Sequence, residues 1–351
     1  MLSTLILLMI LLAGGGYVSA EERFVRLGVD DGLPNATIYS VQQDKTGFLW
    51  FGSTQSGLLR FDGYRFVEFP VLTTQELTEH QTPDVGAILI DKHNAIWAGT
   101  WGLGLSRLSP GHAAPQRFTV ADGLAGNQIQ ALLEDASGRI WVGTTLGLSR
   151  IDPDLSMTAI GQQTDSQVLA DQRIWSLEQA PDGTVWIGTS AGLHYWRDDS
   201  GLSPAIKLDP KADNLSRSNE IRALKLVAGT LWVGSRNGVF RYDRLTGRFI
   251  AQSLVKPGQS EPVINTMAIE NGSDTLLIGS YSGLYRLALP SKAVQPVRTL
   301  RHVNIRSIFA DRTGVLWLGS RENGLYRNVL SSPAFNGIET VSAALAEQEP
   351  F

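Results

Sequence analysis

A chain of 351 residues, 43% hydrophobic and 18% charged, has the make-up of a folded globular protein, which excludes an intrinsically disordered one. Its net charge of −4 is small and evenly spread, which sets nucleic acid aside as a partner. Cys is absent while Gly numbers 36, roughly a tenth of the chain against a usual ~7%, so stability must come from a packed core without disulfides and the glycines need a structural reason.

The first elements in chain order are those of a secretory signal over residues 1–20. An apolar run from Leu5 to Leu12 is followed by small residues and by Val18-Ser19-Ala20, an A-x-A-like cleavage site ahead of Glu21 and Glu22. Cleavage is expected after Ala20, with a periplasmic location. The n-region has no Lys or Arg, which is off pattern. An uncleaved anchor is the alternative, but the apolar run falls short of the ~20 residues a spanning helix needs.

From here the chain repeats itself. An aromatic-apolar-Gly triplet occurs at Trp50-Phe51-Gly52, Trp97-Ala98-Gly99, Trp141-Val142-Gly143, Trp186-Ile187-Gly188, Trp232-Val233-Gly234 and Trp317-Leu318-Gly319, with Leu277-Ile278-Gly279 in the remaining slot. The intervals are 47, 44, 45, 46, 45 and 40 residues. About twelve residues before each anchor, an Ile or Val opens a short strand-like segment, such as Ile129-Gln130-Ala131-Leu132-Leu133. Three residues before the anchor sits a residue that tolerates positive φ: Gly47, Asn94, Gly138, Gly183, Gly229, Asp274 or Gly314, which predicts a tight hairpin.

Asp44, Asp91, Asp135 and Asp311 stand three residues earlier, where a carboxylate can accept from the turn's own amides. After the anchor, Gly-Leu or Gly-Val starts a third strand, as at Gly57-Leu58 and Gly238-Val239, and a weaker fourth follows, as in Gly247-Arg248-Phe249-Ile250. Four short strands per repeat, in seven copies, predict an all-β fold: a seven-bladed β-propeller of four-stranded antiparallel blades over residues 21–330. An open solenoid would need polar capping repeats, which neither end shows.

The run Asp31-Gly32-Leu33-Pro34-Asn35, then Ile38, Asp44, Gly47, Leu49-Trp50, Gly52, Gly57-Leu58 and Arg60-Phe61-Asp62-Gly63, resembles the two-component regulator propeller repeat. Asp122-Gly123-Leu124 through Arg150 repeats it. Copies four to six drift: Ala180 and Leu226 replace the turn Asp, Asn271 takes its place in copy six, and Leu277 replaces Trp.

The resemblance implies a periplasmic input domain of the kind that feeds membrane-anchored histidine kinases, hybrid sensors or diguanylate cyclases. The two dozen or so residues after Arg327 hold no connector, span or output domain, so the sequence suggests a truncated or free-standing sensor whose signalling partner is membrane-anchored. Arg23-Phe24-Val25-Arg26-Leu27 reads as a fourth strand orphaned from its blade, expected to pair onto the seventh and seal the ring. Ala334-Phe335-Asn336-Gly337-Ile338, in the tail 331–351, competes for the same slot.

The recurring Trp and Gly are read as structural, since a catalytic residue has no reason to recur in every blade. Function is sought where the copies differ. One residue after the leading Ile or Val the copies read Tyr39, Gly86, Gln130, Trp175, Arg222, Asn265 and Arg306; two after the anchor Gly they read Thr54, Trp101, Thr145, Ser190, Arg236, Tyr281 and Arg321. Both positions are expected to ring the mouth of the axial channel.

Trp101, Trp175, Tyr281, Arg222, Arg236, Arg306 and Arg321 are therefore the candidate binding residues, with aromatics to stack on a sugar or ring and Arg forks for carboxylate or phosphate. The expected ligand is a small molecule or an oligosaccharide. The five His have no ligand spacing and no catalytic motif occurs, so no metal, cofactor or enzyme activity is expected. A protein-interaction scaffold is an alternative. A propeller lyase or lactonase is a weaker one, since the two rings contain no His, Asp or Glu.

Overall fold

The computed structural model describes residues 23–79, 83–112, 114–161, 168–169, 173–211 and 217–328. The expected secretory signal at 1–20 and the tail with Ala334–Ile338 lie outside them. The described strands form seven four-stranded antiparallel sheets, as expected, six of them meanders of consecutive strands and the seventh completed by the N-terminal strand. Blade 1 consists of Ile38–Gln43, Leu49–Ser53, Gly57–Phe61 and Phe66–Phe69. The leading strands of the other blades are Val85–Ile90, Ile129–Glu134, Ile174–Gln179, Ile221–Val227, Ile264–Ile269 and Ile305–Ala310.

Ring closure follows from the N-terminal strand Phe24–Leu27, which pairs antiparallel with Leu325–Asn328 of blade 7, from Phe24 opposite Asn328 to Leu27 opposite Leu325. Arg312 of blade 7 adds a clasp to blade 1: its backbone N–H donates to Gln43 Oε1 at 2.9 Å, and its guanidinium to the carbonyls of Lys45 at 2.9 Å and Asp44 at 2.6 Å. The N-terminal strand thereby covers the outer edge of Leu325–Asn328.

The anchor residues do what their recurrence implied. Each packs against the leading strand of the next blade: Trp50 with Val85 and Ile88, Trp97 with Ile129, Trp141 with Ile174, Trp186 with Ile221, Trp232 with Ile264, Leu277 with Ile305, and Trp317 with Ile38. Burial of one such ring contributes about 1.5–3 kcal/mol.

The anchor glycines mark the same contact. A Cβ on Gly99 would lie 2.6 Å from Ile129 Cγ2, one on Gly234 2.5 Å from Ile264 Cγ2, and one on Gly319 2.8 Å from the Ile38 carbonyl. Only hydrogen fits where adjacent blades meet.

The turn carboxylates hold more than their own loops. Asp44 Oδ1 accepts from the Thr46 and Phe48 amides at 2.9 and 3.1 Å, and its Oδ2 accepts from the Trp50 indole at 2.9 Å. The same indole-to-carboxylate bond recurs from Trp97 to Asp91, Trp141 to Asp135 and Trp317 to Asp311, at 2.9, 2.8 and 2.8 Å. Burial pushes the Asp44, Asp135 and Asp311 carboxyls up, yet these hydrogen bonds outweigh it and their pKa values end below the ordinary one.

Blade 6 corrects the expected turn. Its left-handed residue is Gly272 at φ 71°, not Asp274, and Glu270 rather than Asn271 stands at the turn's opening, its N–H donating to the Thr275 carbonyl. The loop is one residue longer than in blade 1, where Asp44 N–H reaches the Phe48 carbonyl, so the positive φ moves back to the glycine. In blade 5, Leu226 is not a turn residue: it pairs with Leu231, and Ala228 and Gly229 make a two-residue turn at φ 46° and 76°.

Candidate functional site at the channel mouth

Every leading strand is interrupted at the same place. Pairing with the second strand skips one residue, between Ile38 and Ser40 in blade 1 and at the equivalent pair in all the others. The skipped residues are Tyr39, Gly86, Gln130, Trp175, Arg222, Asn265 and Arg306, the whole of the first variable ring. A β-bulge leaves its extra residue out of the ladder and re-aims the side chain. The seven bulges thus send six side chains, and the bare backbone of Gly86, to one cavity of about 100 Å³ at the channel mouth, with the channel continuing beyond as a space of about 270 Å³.

The second ring lies on the same face. Trp101, Ser190, Tyr281 and Arg321 donate their backbone N–H to the carbonyls of Asp84, Arg173, Val263 and Asn304, the residues just ahead of the leading strands. Trp101 reaches inward and lines the cavity too. It fills the gap left by Gly86, where a Cβ would strike its indole, and tilts against Tyr39 with ring centroids 4.6 Å apart.

Arg222 and Arg306 converge on Asn265, whose Oδ1 accepts from Arg222 Nη2 and Arg306 Nη1 at 3.3 Å each. Arg222 also pairs with Glu220 at 2.7 Å, a carboxylate only 4% exposed. Its guanidinium lies 4.3 Å from the Trp175 ring centroid and 5.6 Å from that of Tyr281. Arg306 packs over Tyr39 at 4.9 Å. Burial, together with the charge of Arg222, lowers the Arg306 pKa from its usual value, while Tyr39 and Tyr281 act the other way.

The candidates divide accordingly. Trp101, Trp175, Arg222 and Arg306 line the cavity, and Tyr281, 39% exposed, stands beside Arg222 at its edge. Arg236 lies at the periphery, 4.0 Å from Glu220. Arg321 is turned outward, paired with its neighbour Glu322 at 3.1 Å. The Trp175 ring carries Arg173 at 4.8 Å as well as Arg222, so it serves as a platform for guanidinium groups.

Glu220 and Arg173 escaped the sequence reading because they precede the leading strands, in loops of unequal length. Asn265 was placed in the ring but not picked out; its neutral amide gave no signal of the two charges it joins. Among the described residues no cluster of three metal-ligating side chains occurs.

The profile of the two component regulator propeller family matches residues 32–55, 123–145, 168–191 and 299–322. A search of the curated proteins finds no sequence that matches. Solved structures share the fold. The extracellular domain of the putative hybrid two component system BT3049 from B. thetaiotaomicron superposes with a TM-score of 0.73 at 21% identity, over 89% of this chain and 42% of that one. The corresponding domain of BT4673 from the same organism gives 0.71 at 19%, over 89% and 40%.

An inactive virginiamycin B lyase from Staphylococcus aureus with quinupristin gives 0.67 at 12%, over 88% and 100%. The chain thus spans about two fifths of the length of the two B. thetaiotaomicron extracellular domains. The four matched segments are two component regulator propeller repeats, and all seven blades share one four-stranded antiparallel build.

Proposed function

We propose that this propeller is the ligand-recognising part of an extracytoplasmic signalling system, taking a small molecule or an oligosaccharide at the channel mouth and acting on a membrane-anchored partner. One observation carries the reading: the seven bulges deliver the side chains that differ between repeats into a single cavity. Periplasmic export after Ala20 fits the fold shared with extracellular sensor domains. Binding rather than catalysis is favoured by the mouth's composition, since Glu220 is held by Arg222 and none of the lining residues is a His.

The test is thermal stabilisation of the mature chain from Glu21 by sugars, sugar acids and peptides, alongside a Trp175→Ala plus Arg306→Ala variant. A ligand at a hundredfold its Kd adds about 2.7 kcal/mol to stability. A shift in the parent that disappears in the variant supports the mouth as the sensor site. Response to peptides alone would favour a scaffold, and no response to any class would overturn the proposal.

A further inference from the structure

The mouth is rich in donors and short of negative charge. Asn265 Oδ1 is one neutral oxygen shared by two cations, at 3.3 Å from each, long for an N–H···O bond. The amide cannot improve this by turning, because its Nδ2 donates to Asn304 Oδ1 at 3.0 Å and to the Ile305 carbonyl at 2.9 Å. Arg222 has Glu220, but among the described residues no carboxylate pairs with Arg306, whose partners are Asn265, the face of the Tyr39 ring and the uncharged Tyr281 side chain, with which it shares a hydrogen bond. Trp175 adds a buried indole N–H without an acceptor. Buried donors and cations left so are costly unless something fills the place of the acceptor.

We infer that the ligand of this mouth presents an oxyanion, a carboxylate, sulfate or phosphate, which seats between Arg222 and Arg306 and relieves Asn265 of its double contact. The inference rests on the mouth being the ligand site and names the chemistry that site selects. Guanidinium forks hold such groups bidentately. Size is compatible with this: the cavity of about 100 Å³ has room for a small oxyanion head, and the channel continues beyond it. The body of the ligand then lies outward, against Trp101 and Tyr281, which are 37% and 39% exposed. The mouth sorts its ligand into a buried charged head and an exposed ring-bearing body.

The experiment uses the mature chain from Glu21 at constant ionic strength, with calorimetry and thermal melts against D-glucuronate, inorganic sulfate, inorganic phosphate and, as the neutral probe, glucose. At least one anion should bind saturably and glucose should not, with the pattern among the three separating a carboxylate from a sulfate or phosphate site. Arg306→Gln should weaken that anion at least tenfold while its ligand-free melting temperature stays at or above the parent's. A structural arginine would instead lower the melting temperature. Arg65→Gln, an exposed arginine paired with Asp62 in a turn of blade 1, controls for general charge loss and should bind like the parent.

Equal anion binding in Arg306→Gln, or glucose binding as tightly as glucuronate, overturns the oxyanion inference. If glucose or another neutral ligand binds and Trp175→Ala abolishes it, the sensor reading stands without the oxyanion. If no ligand binds, both fall.

Discussion

Blade 4 holds a turn whose carboxylate is missing, and restoring it should stabilise the protein. Its backbone turn matches that of blade 3: Ala180 N–H reaches the Thr184 carbonyl at 2.8 Å and Gly183 N–H the Ala180 carbonyl at 2.9 Å, against 2.9 Å for both bonds around Asp135. Trp141 donates its indole N–H to Asp135, while the indole N–H of Trp186 is buried without an acceptor. Ala180→Asp places a carboxylate oxygen where blade 3 has one. A cavity of about 380 Å³ bordered by Ala180, Glu178 and Leu226 leaves room for the larger side chain.

An unsatisfied buried donor costs about 1–3 kcal/mol. Against recovery of that cost stand the desolvation of the new carboxylate and its repulsion from Asp182 and Glu178. Asp44, Asp135 and Asp311 show that such a turn keeps a carboxylate ionised despite burial. A net gain of about 1 kcal/mol remains, or about 2 °C in Tm for a domain of this size. The assay is a double-mutant cycle with Trp186→Phe, followed by thermal and denaturant melts. The gain should vanish in the Phe background, because the bond it comes from is gone. Equal effects of Ala180→Asp in both backgrounds, or a loss in the parent, would refute the assignment of the carboxylate to the indole.

Gly234→Ala should destabilise by about 1–3 kcal/mol through overpacking, since its Cβ would lie 2.5 Å from Ile264 Cγ2 and 3.1 Å from Ala223 Cβ, with denaturant midpoints as the check. Arg312→Ala should loosen the seam, costing about 1–2 kcal/mol in lost hydrogen bonds and speeding hydrogen exchange in Phe24–Leu27 relative to blade 3. The buried His194 has its pKa lowered by desolvation, which outweighs its bond to the Ser203 carbonyl. The unfolded chain, with a His pKa near ~6.5, then binds a proton that the folded one refuses, so stability is full above about pH 6.5 and falls as the pH drops below it. His194→Gln should flatten melting temperature between pH 7 and 5; an unchanged slope would show that another group carries the effect.

Blade number and strand order were legible because they rest on sterics repeated in every copy: a ring at Trp50 and its counterparts, a missing side chain at Gly52, an Ile or Val to meet it; the closing strand, for which the sequence offered two candidates, was not. Repetition turns one weak pattern into a strong one. Part of what was not read left a trace. Asp and Trp stand six residues apart in the four blades that bond them, and Trp186 loses its acceptor where Ala180 replaces the Asp.

The bulges left a fainter trace, in the small residues Ser40, Ala87, Ala131, Ser176, Ala223, Thr266 and Ser307 that face the anchor glycines. A bulge is a property of two paired strands, and one strand's sequence specifies only half of it. The contacts of the mouth are longer in range still. Arg222, Asn265 and Arg306 belong to three different blades, and nothing local in the chain says that the first and last share an oxygen of the second.

The bulge explains how one repeat can both close a ring and carry a site. Ile or Val before it packs on the anchor glycine of the preceding blade, and the small residue after it packs on the glycine of its own. The bulged residue between them has no partner in the ladder, so its identity is nearly free of the packing that holds the blades together. The ring accordingly spans Gly, Asn, Gln, Tyr, Trp and Arg at equivalent positions. Where the fold tolerates almost any side chain, a half-buried Arg306 without a carboxylate is the costly choice, and an apolar residue would have served packing better. A cost that the fold does not require points to the work of the site, and Arg306 is the residue on which that work should first be measured.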